Sequence, residues 1–193
     1  MKITFVLPCV DLSGGNRVVA TYADRLQKRG HQVQLFSSPH QPLTRHQQIR
    51  SLLKGQGWPQ RVRHYPSHFD YIDVPHHVIE HNGPIVASDV PDADVVVATW
   101  WETAEWIHAF PPEKGAKAYL IQHHEVFDDQ PIDRVKATYR LPIHKIAISR
   151  WLADLMINEY GNDRCSLIPN SVDTNLFYAP PRVKQAVPTV GLL

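Results

Sequence analysis

The stretch ITFVLPCVDLSGGNRVVATYADRLQKRG, residues 3–30, decides the fold. Ile3, Phe5, Val6 and Leu7 form a nearly unbroken apolar run, the pattern of a strand buried on both faces. Val18, Val19, Tyr22, Ala23 and Leu26 then recur at helical spacing, which predicts a helix from about Asn16 to Arg29. Ser13 is placed to cap its first amides, and Gly30 stands where it stops. Strand, glycine loop and helix together make a phosphate-binding arrangement. Without a Cβ, Gly14 and Gly15 let a ligand approach the backbone, and the helix aims free amides and a positive dipole end at it. A plain βα turn has the same pattern, because Gly-Gly before a helix is a weak motif.

A dinucleotide site is disfavoured. The loop lacks the G-x-G-x-x-G spacing, and the second strand, Gln32 to Phe36, ends in Ser37-Ser38-Pro39 with no acid for a ribose. The 193 residues, 43% hydrophobic and 9% aromatic, suit one domain with a packed core. Pro8 and Asp11 break the opening apolar run, so no secretory signal is expected, and no stretch approaches the roughly 20 apolar residues of a membrane span. Cys9 and Cys165 are lone and far apart, which points away from disulfides and zinc and toward a reducing cytoplasm.

The net charge of +1 conceals an asymmetry. Residues 1–69 hold ten Lys/Arg and two acids, a balance of +8, whereas residues 70–193 hold ten against seventeen, a balance of −7. No acid occurs between Arg25 and Phe69. Such a field attracts an anionic acceptor or an anionic membrane surface, or is a solvated basic face. Aromatics are not interleaved with the basic residues, which argues against nucleic acid. Within this run a short helix is expected, with a Thr44/Gln47 capping box, an apolar stripe of Ile49, Leu52 and Leu53, and Arg45, Arg50 and Lys54 on the other face.

Residues 55–94, rich in proline, read as a long surface excursion with a possible strand at 61–65. Alternation then resumes, with strands at 95–98, 118–121, 145–148 and 164–168. Helices are expected from about Thr99 to Phe110, from Ile132 to Arg140, and after the cap Ser149. The fold class is therefore α/β, a Rossmann-like three-layer αβα domain around a central, mostly parallel sheet. Ligands of such sheets bind beyond the carboxyl ends of the strands. There the chain delivers Gly14-Gly15, Trp100-Trp101-Glu102, His123-His124-Glu125 and Asn170-Ser171-Val172-Asp173, a polar-substrate cleft with stacking platforms.

The segments SGGNRVVATYADRLQKRGHQV, AISRWLADLMINEYG and IPNSVDTNLF resemble the amino-terminal half of glycosyltransferase family four, the retaining group-one enzymes of GT-B fold. The resemblance is weakest between residues 40 and 94. It implies that Gly14 and Gly15 approach the diphosphate of a nucleotide-sugar donor and that His123 or His124 lies against the transferred sugar or acceptor. It also implies that Pro169 to Asp173 begins an interdomain linker, while Trp100, Glu102, Glu125, Asn170 and Ser171 are expected at the acceptor or sugar site from their places beyond the strand ends. Ser171 stands where the family usually has glycine. By this resemblance residues 1–170 are an acceptor-binding domain, and residues 171–193 are a linker plus the first strand of a donor-binding domain. The rest of that domain, with its E-x7-E carboxylates and basic pair, has no counterpart here. Transfer to a saccharide or lipid-linked acceptor in the cytoplasm would follow, with no metal or other cofactor, and this half alone would be inactive.

Two readings of the histidines stay open. His76, His77, Glu80 and His81 can be drawn as metal ligands, but the spacing is not H-E-x-x-H and prolines crowd both sides. Adjacent extended residues point opposite ways, so at most one of His123 and His124 faces a cleft. Trp101 and Trp151 are expected in the core. A stand-alone, non-catalytic anion- or nucleotide-binding module remains the alternative to an enzyme half.

Overall fold

The computed structural model describes residues 1–40, 49–50, 52–54, 65–174, 177–179, 181, 183 and 187. Arg45, the Thr44/Gln47 capping box, residues 61–64 of the possible strand and most of the expected strand at 187–193 lie outside them. The chain runs β1 (Lys2–Leu7), α1 (Gly14–Lys28), β2 (Gln32–Ser37), β3 (His76–Val78), β4 (Val95–Ala98), α2 (Trp101–His108) and β5 (Ala116–Ile121). It continues through α3 (Ile132–Tyr139), β6 (His144–Ala147), α4 (Arg150–Asn158) and β7 (Cys165–Leu167). The strands form one sheet in the order β3-β2-β1-β4-β5-β6-β7, every pairing parallel.

Parallel strands expose no face to water, which is why β1, β4 and β5 are continuous apolar runs. Alternate residues feed two cores. Ile3, Phe5, Leu7, Leu35 and Val97 pack with Val19, Ala20 and Ala23 of α1. Val6, Val96, Ala98, Tyr119 and Ile121 pack with Trp101, Ile107, Val135, Leu152 and Met156 of the other three helices. α1 thus covers one face and α2, α3 and α4 the other, a three-layer αβα sandwich. Ser13 accepts from the Asn16 amide at 3.5 Å to cap α1, and Gly30, at φ 87°, ends it in the left-handed conformation that glycine adopts freely. Gly115 is fixed by space as well. A Cβ there would lie 2.5 Å from the Asp94 carbonyl carbon, where the turn into β5 crosses the entry to β4.

Residues 65–94 are more than a surface excursion. They add edge strand β3 and bury Phe69, Val74, Ile79, Ile85 and Val90 against the sheet. Ile49, Leu52 and Leu53 are exposed, as are Arg50 and Lys54. Ser149 occupies the N-cap position of α4, but its buried hydroxyl makes no hydrogen bond. Among the described residues no helix is long and apolar enough to cross a membrane.

Candidate functional site

Strand order reverses between β1 and β4, so the place where such sheets take a ligand lies beyond Leu7 and Ala98. Thr99 donates its hydroxyl to the Val6 carbonyl at 3.2 Å and ties the two exits together. The β1–α1 loop is held from several sides. Asp11 accepts from the Ser13 amide at 2.9 Å and the Asn16 side chain at 2.7 Å. Burial alone would raise the Asp11 carboxyl, but these bonds outweigh it and hold it below the usual carboxylate range. Ring nitrogens of His40 and His68 lie 2.6 and 3.1 Å from the carbonyls of Val10 and Leu12. Gly14 meets nothing within 4 Å of where a Cβ would stand. Gly15 differs, because its Cβ would touch the Gln122 side chain at 3.5 Å, and Gln122 donates to the Gly15 carbonyl at 3.2 Å.

Gln122 begins the loop after β5, and each residue that follows takes a different environment. His123 is exposed, stacked on Phe127 with centroids 5.2 Å apart and set edge-on to Trp151 at 6.4 Å. His124 is half-buried between Tyr139 and Tyr160 and bonds the Tyr160 hydroxyl at 2.7 Å. Burial there lowers its pKa.

Glu125, expected at the cleft surface, is only 2% exposed. Its Oε2 accepts from the Trp101 amide at 3.1 Å and the Tyr119 hydroxyl at 2.9 Å, and its own amide donates to the Tyr139 hydroxyl at 2.8 Å. Loss of hydration pushes its pKa up to about 8. Glu125 therefore joins the start of α2 to the β5 loop from beneath the rim.

Glu102, in the first turn of α2, is half-buried and raised by that burial, with Arg134 opposing the rise. Together with Asp11 it raises the Cys9 thiol, whose shift comes first from burial. Trp100 is half-buried at the start of α2, its amide donating to Thr103 at 3.0 Å. Asn170 and Ser171 are exposed beyond β7, and the chain then returns to α1, where Asp173 lies 3.7 Å from Arg25. Arg50 and Lys54 are exposed outside this network.

Trp101 is buried as expected, but Trp151 is 53% exposed rather than in the core, because the first turn of α4 points it over the rim. His76, His77 and His81 take separate partners, respectively Ser37, the Phe36 ring and Asp89. Neither Gln122 nor Phe127 is among the residues that the sequence alone points to. The signal for Gln122 was its position just past a strand end, one residue before His123.

Among solved structures the chain is similar to a glycosyltransferase from Rickettsia africae ESF-5, at 17% identity and a TM-score of 0.48, over 90% of this chain and 44% of that one. It is also similar to an alpha-glucosyltransferase solved with UDP-glucose and DNA containing an abasic site, at 12% identity and a TM-score of 0.48, over 88% and 42% of the two chains. The chain thus spans less than half the length of either. No match is found among curated proteins. The family model of Glycosyltransferase Family 4 matches residues 12–176, which takes in the glycine loop, the β5 loop and the segment after β7, and the chain belongs to that family.

Proposed function

We propose that this chain is the amino-terminal, acceptor-binding half of a GT-B enzyme that moves a sugar from a nucleotide-sugar donor to an acceptor hydroxyl with retention. One observation supports the reading most. The Gln122 side chain bonds the Gly15 carbonyl, so the glycine loop and His123 meet at the strand switch point. A diphosphate over Gly14 and the first amides of α1 would then have its sugar beside His123. Residues 1–170 form the domain, and residues 171–193 lead into a donor-binding half.

The transition state of such a transfer is oxocarbenium-like. The work of this half is to position the acceptor hydroxyl and to stabilise the departing diphosphate electrostatically. His123, exposed at the rim, is the residue we assign to contact with the transferred sugar or acceptor. His124, tied to Tyr160, supports the loop from the side. We also assign Glu102 and Trp100, at the start of α2, and Asn170 and Ser171, exposed beyond β7, to contact with the acceptor or sugar.

The acceptor is a saccharide or a lipid-linked saccharide, in polysaccharide or glycolipid synthesis at the cytoplasmic face of a membrane. The exposed Ile49, Leu52 and Leu53 beside Arg50 and Lys54 support a peripheral contact with anionic lipid. The test is nucleoside diphosphate release from a panel of nucleotide sugars, by the 193-residue chain and by the protein read through to the end of its gene. We expect release by the longer protein alone. A gene that stops at Leu193, with a chain that binds nucleotides but turns none over, would favour a stand-alone binding module.

A further inference from the structure

We propose that the exposed ring of Trp151, with His123 edge-on beside it and Phe127 stacked on His123, is a platform on which one pyranose ring of a saccharide acceptor stacks. This rests on the glycosyl-transfer reading of the rim and adds the residues that hold the acceptor. The three rings come from two elements and His123 links the other two, stacked on Phe127 at 5.2 Å and set edge-on to Trp151 at 6.4 Å, with Phe127 40% and Trp151 53% exposed. Singly exposed aromatics need no explanation, but two exposed rings joined through His123 past the carboxyl end of a strand make a patch of the kind that marks a binding surface.

The loop that carries two of them is held from below. The Gln130 amide donates to the Phe127 carbonyl at 3.0 Å, Glu125 joins the loop to α2, and His124 joins it to Tyr160. A platform fixed in advance loses little side-chain and loop entropy when a ligand arrives.

The kind of occupant follows from the rings and their surroundings. A pyranose presents a flat face of C–H groups carrying small positive charge, which suits the negative face of an aromatic ring, and hydroxyls around its edge. Exposed Asp128 and Asp129 follow Phe127 directly, and exposed Arg150 and Asp154 flank Trp151 on α4. Three carboxylates and one guanidinium repel a phosphate or an anionic bilayer and hydrogen-bond a neutral polyol.

The test is saturation-transfer NMR on the 193-residue chain with the methyl pyranosides of glucose, galactose, mannose and N-acetylglucosamine. We expect transfer to the C–H protons of one ring face. Trp151→Ala, Trp151→Leu and Phe127→Ala should each reduce it about three- to ten-fold, while Trp151→Phe keeps most of it. Unchanged melting temperatures separate this from unfolding. No transfer from any of the four sugars, or equal transfer in Trp151→Leu and Trp151→Phe, overturns the platform. In the longer protein the same variants should raise the KM for acceptor and leave that for donor unchanged. A rise in donor KM alone would make this a face for the second domain and would also overturn the proposal. Sugar contact is read without turnover, so a failed platform is distinguishable from a failed transferase, which shows as no diphosphate release.

Discussion

The side-chain amide of Gln122 donates to the Gly15 carbonyl at 3.2 Å, across 107 positions of sequence, and fixes the loop after β5 against the first turn of α1. Ordinary van der Waals room remains for one carbon at Gly15, 3.5 Å from Gln122 Nε2, and open space lies over Gly14. Gly15→Val adds two further methyls to a carbon already in contact with Gln122. We predict that it raises donor KM in the longer protein about ten-fold or more, through loss of one to two charge-assisted contacts to the diphosphate. Its melting temperature should stay close to that of the wild type, and Gly15→Ala should change little. Unchanged donor kinetics in a folded Gly15→Val variant would return the loop to a plain turn.

The adjacent histidines should separate by function. His123→Ala removes an exposed ring, so it is expected to lower kcat about 10- to 100-fold with little effect on stability. His124→Ala and Tyr160→Phe break a half-buried hydrogen bond and should cost about 1 kcal/mol of stability each. Chemical denaturation and steady-state rates on the same three variants would decide. Equal kinetic losses at both histidines would contradict the assignment.

Burial of Glu125 gives stability a pH slope of known sign. Its pKa is raised from 4.5 to about 8, so the folded state holds a proton that the unfolded chain has released. The stability linked to the neutral carboxyl is complete below pH 4.5 and falls as pH rises toward 8, by about 1.4 kcal/mol per unit at most. Glu125→Gln should flatten that window in urea titrations. Glu125→Ala should destabilise by about 1 to 3 kcal/mol, because the Trp101 amide and Tyr119 hydroxyl lose their acceptor. A Glu125→Gln protein with the wild-type slope would assign the slope to another group.

Much of the fold was legible because its signals are local. Buried parallel strands declare themselves as apolar runs, and Gly30 marks a helix end by a conformation few other residues accept. β3 escaped because His76-His77-Val78 is a three-residue edge strand whose pairing with β2 depends on neighbours distant in sequence. Trp151 was misjudged because it sits beside Leu152, Leu155 and Met156 in the apolar pattern, while the start of α4 turns it outward. Position past a strand end is what points to Gly14, His123 and Glu102 in the sequence. The inward turn of Glu125 was illegible, since its partners Trp101, Tyr119 and Tyr139 come from three different elements.

The basic stretch gives a prediction independent of the rim. If Arg45, Arg50 and Lys54 meet anionic lipid, each contributes on the order of 1 kcal/mol, and together they shift partitioning by about two decades. Vesicle co-sedimentation of the wild type and the triple Gln variant, with and without anionic lipid, measures this. Equal binding by both, or none at low salt, would leave a soluble anionic acceptor as the reason for the charge.

The central claim is sugar transfer with retention, and proton NMR of a nucleotide-sugar reaction tests it most directly. We predict that the protein read through beyond Leu193 releases nucleoside diphosphate from an α-linked donor and forms an α-linked product, while the 193-residue chain alone forms none. A β-linked product, or turnover by the 193-residue chain at an enzyme-like rate, would contradict the account.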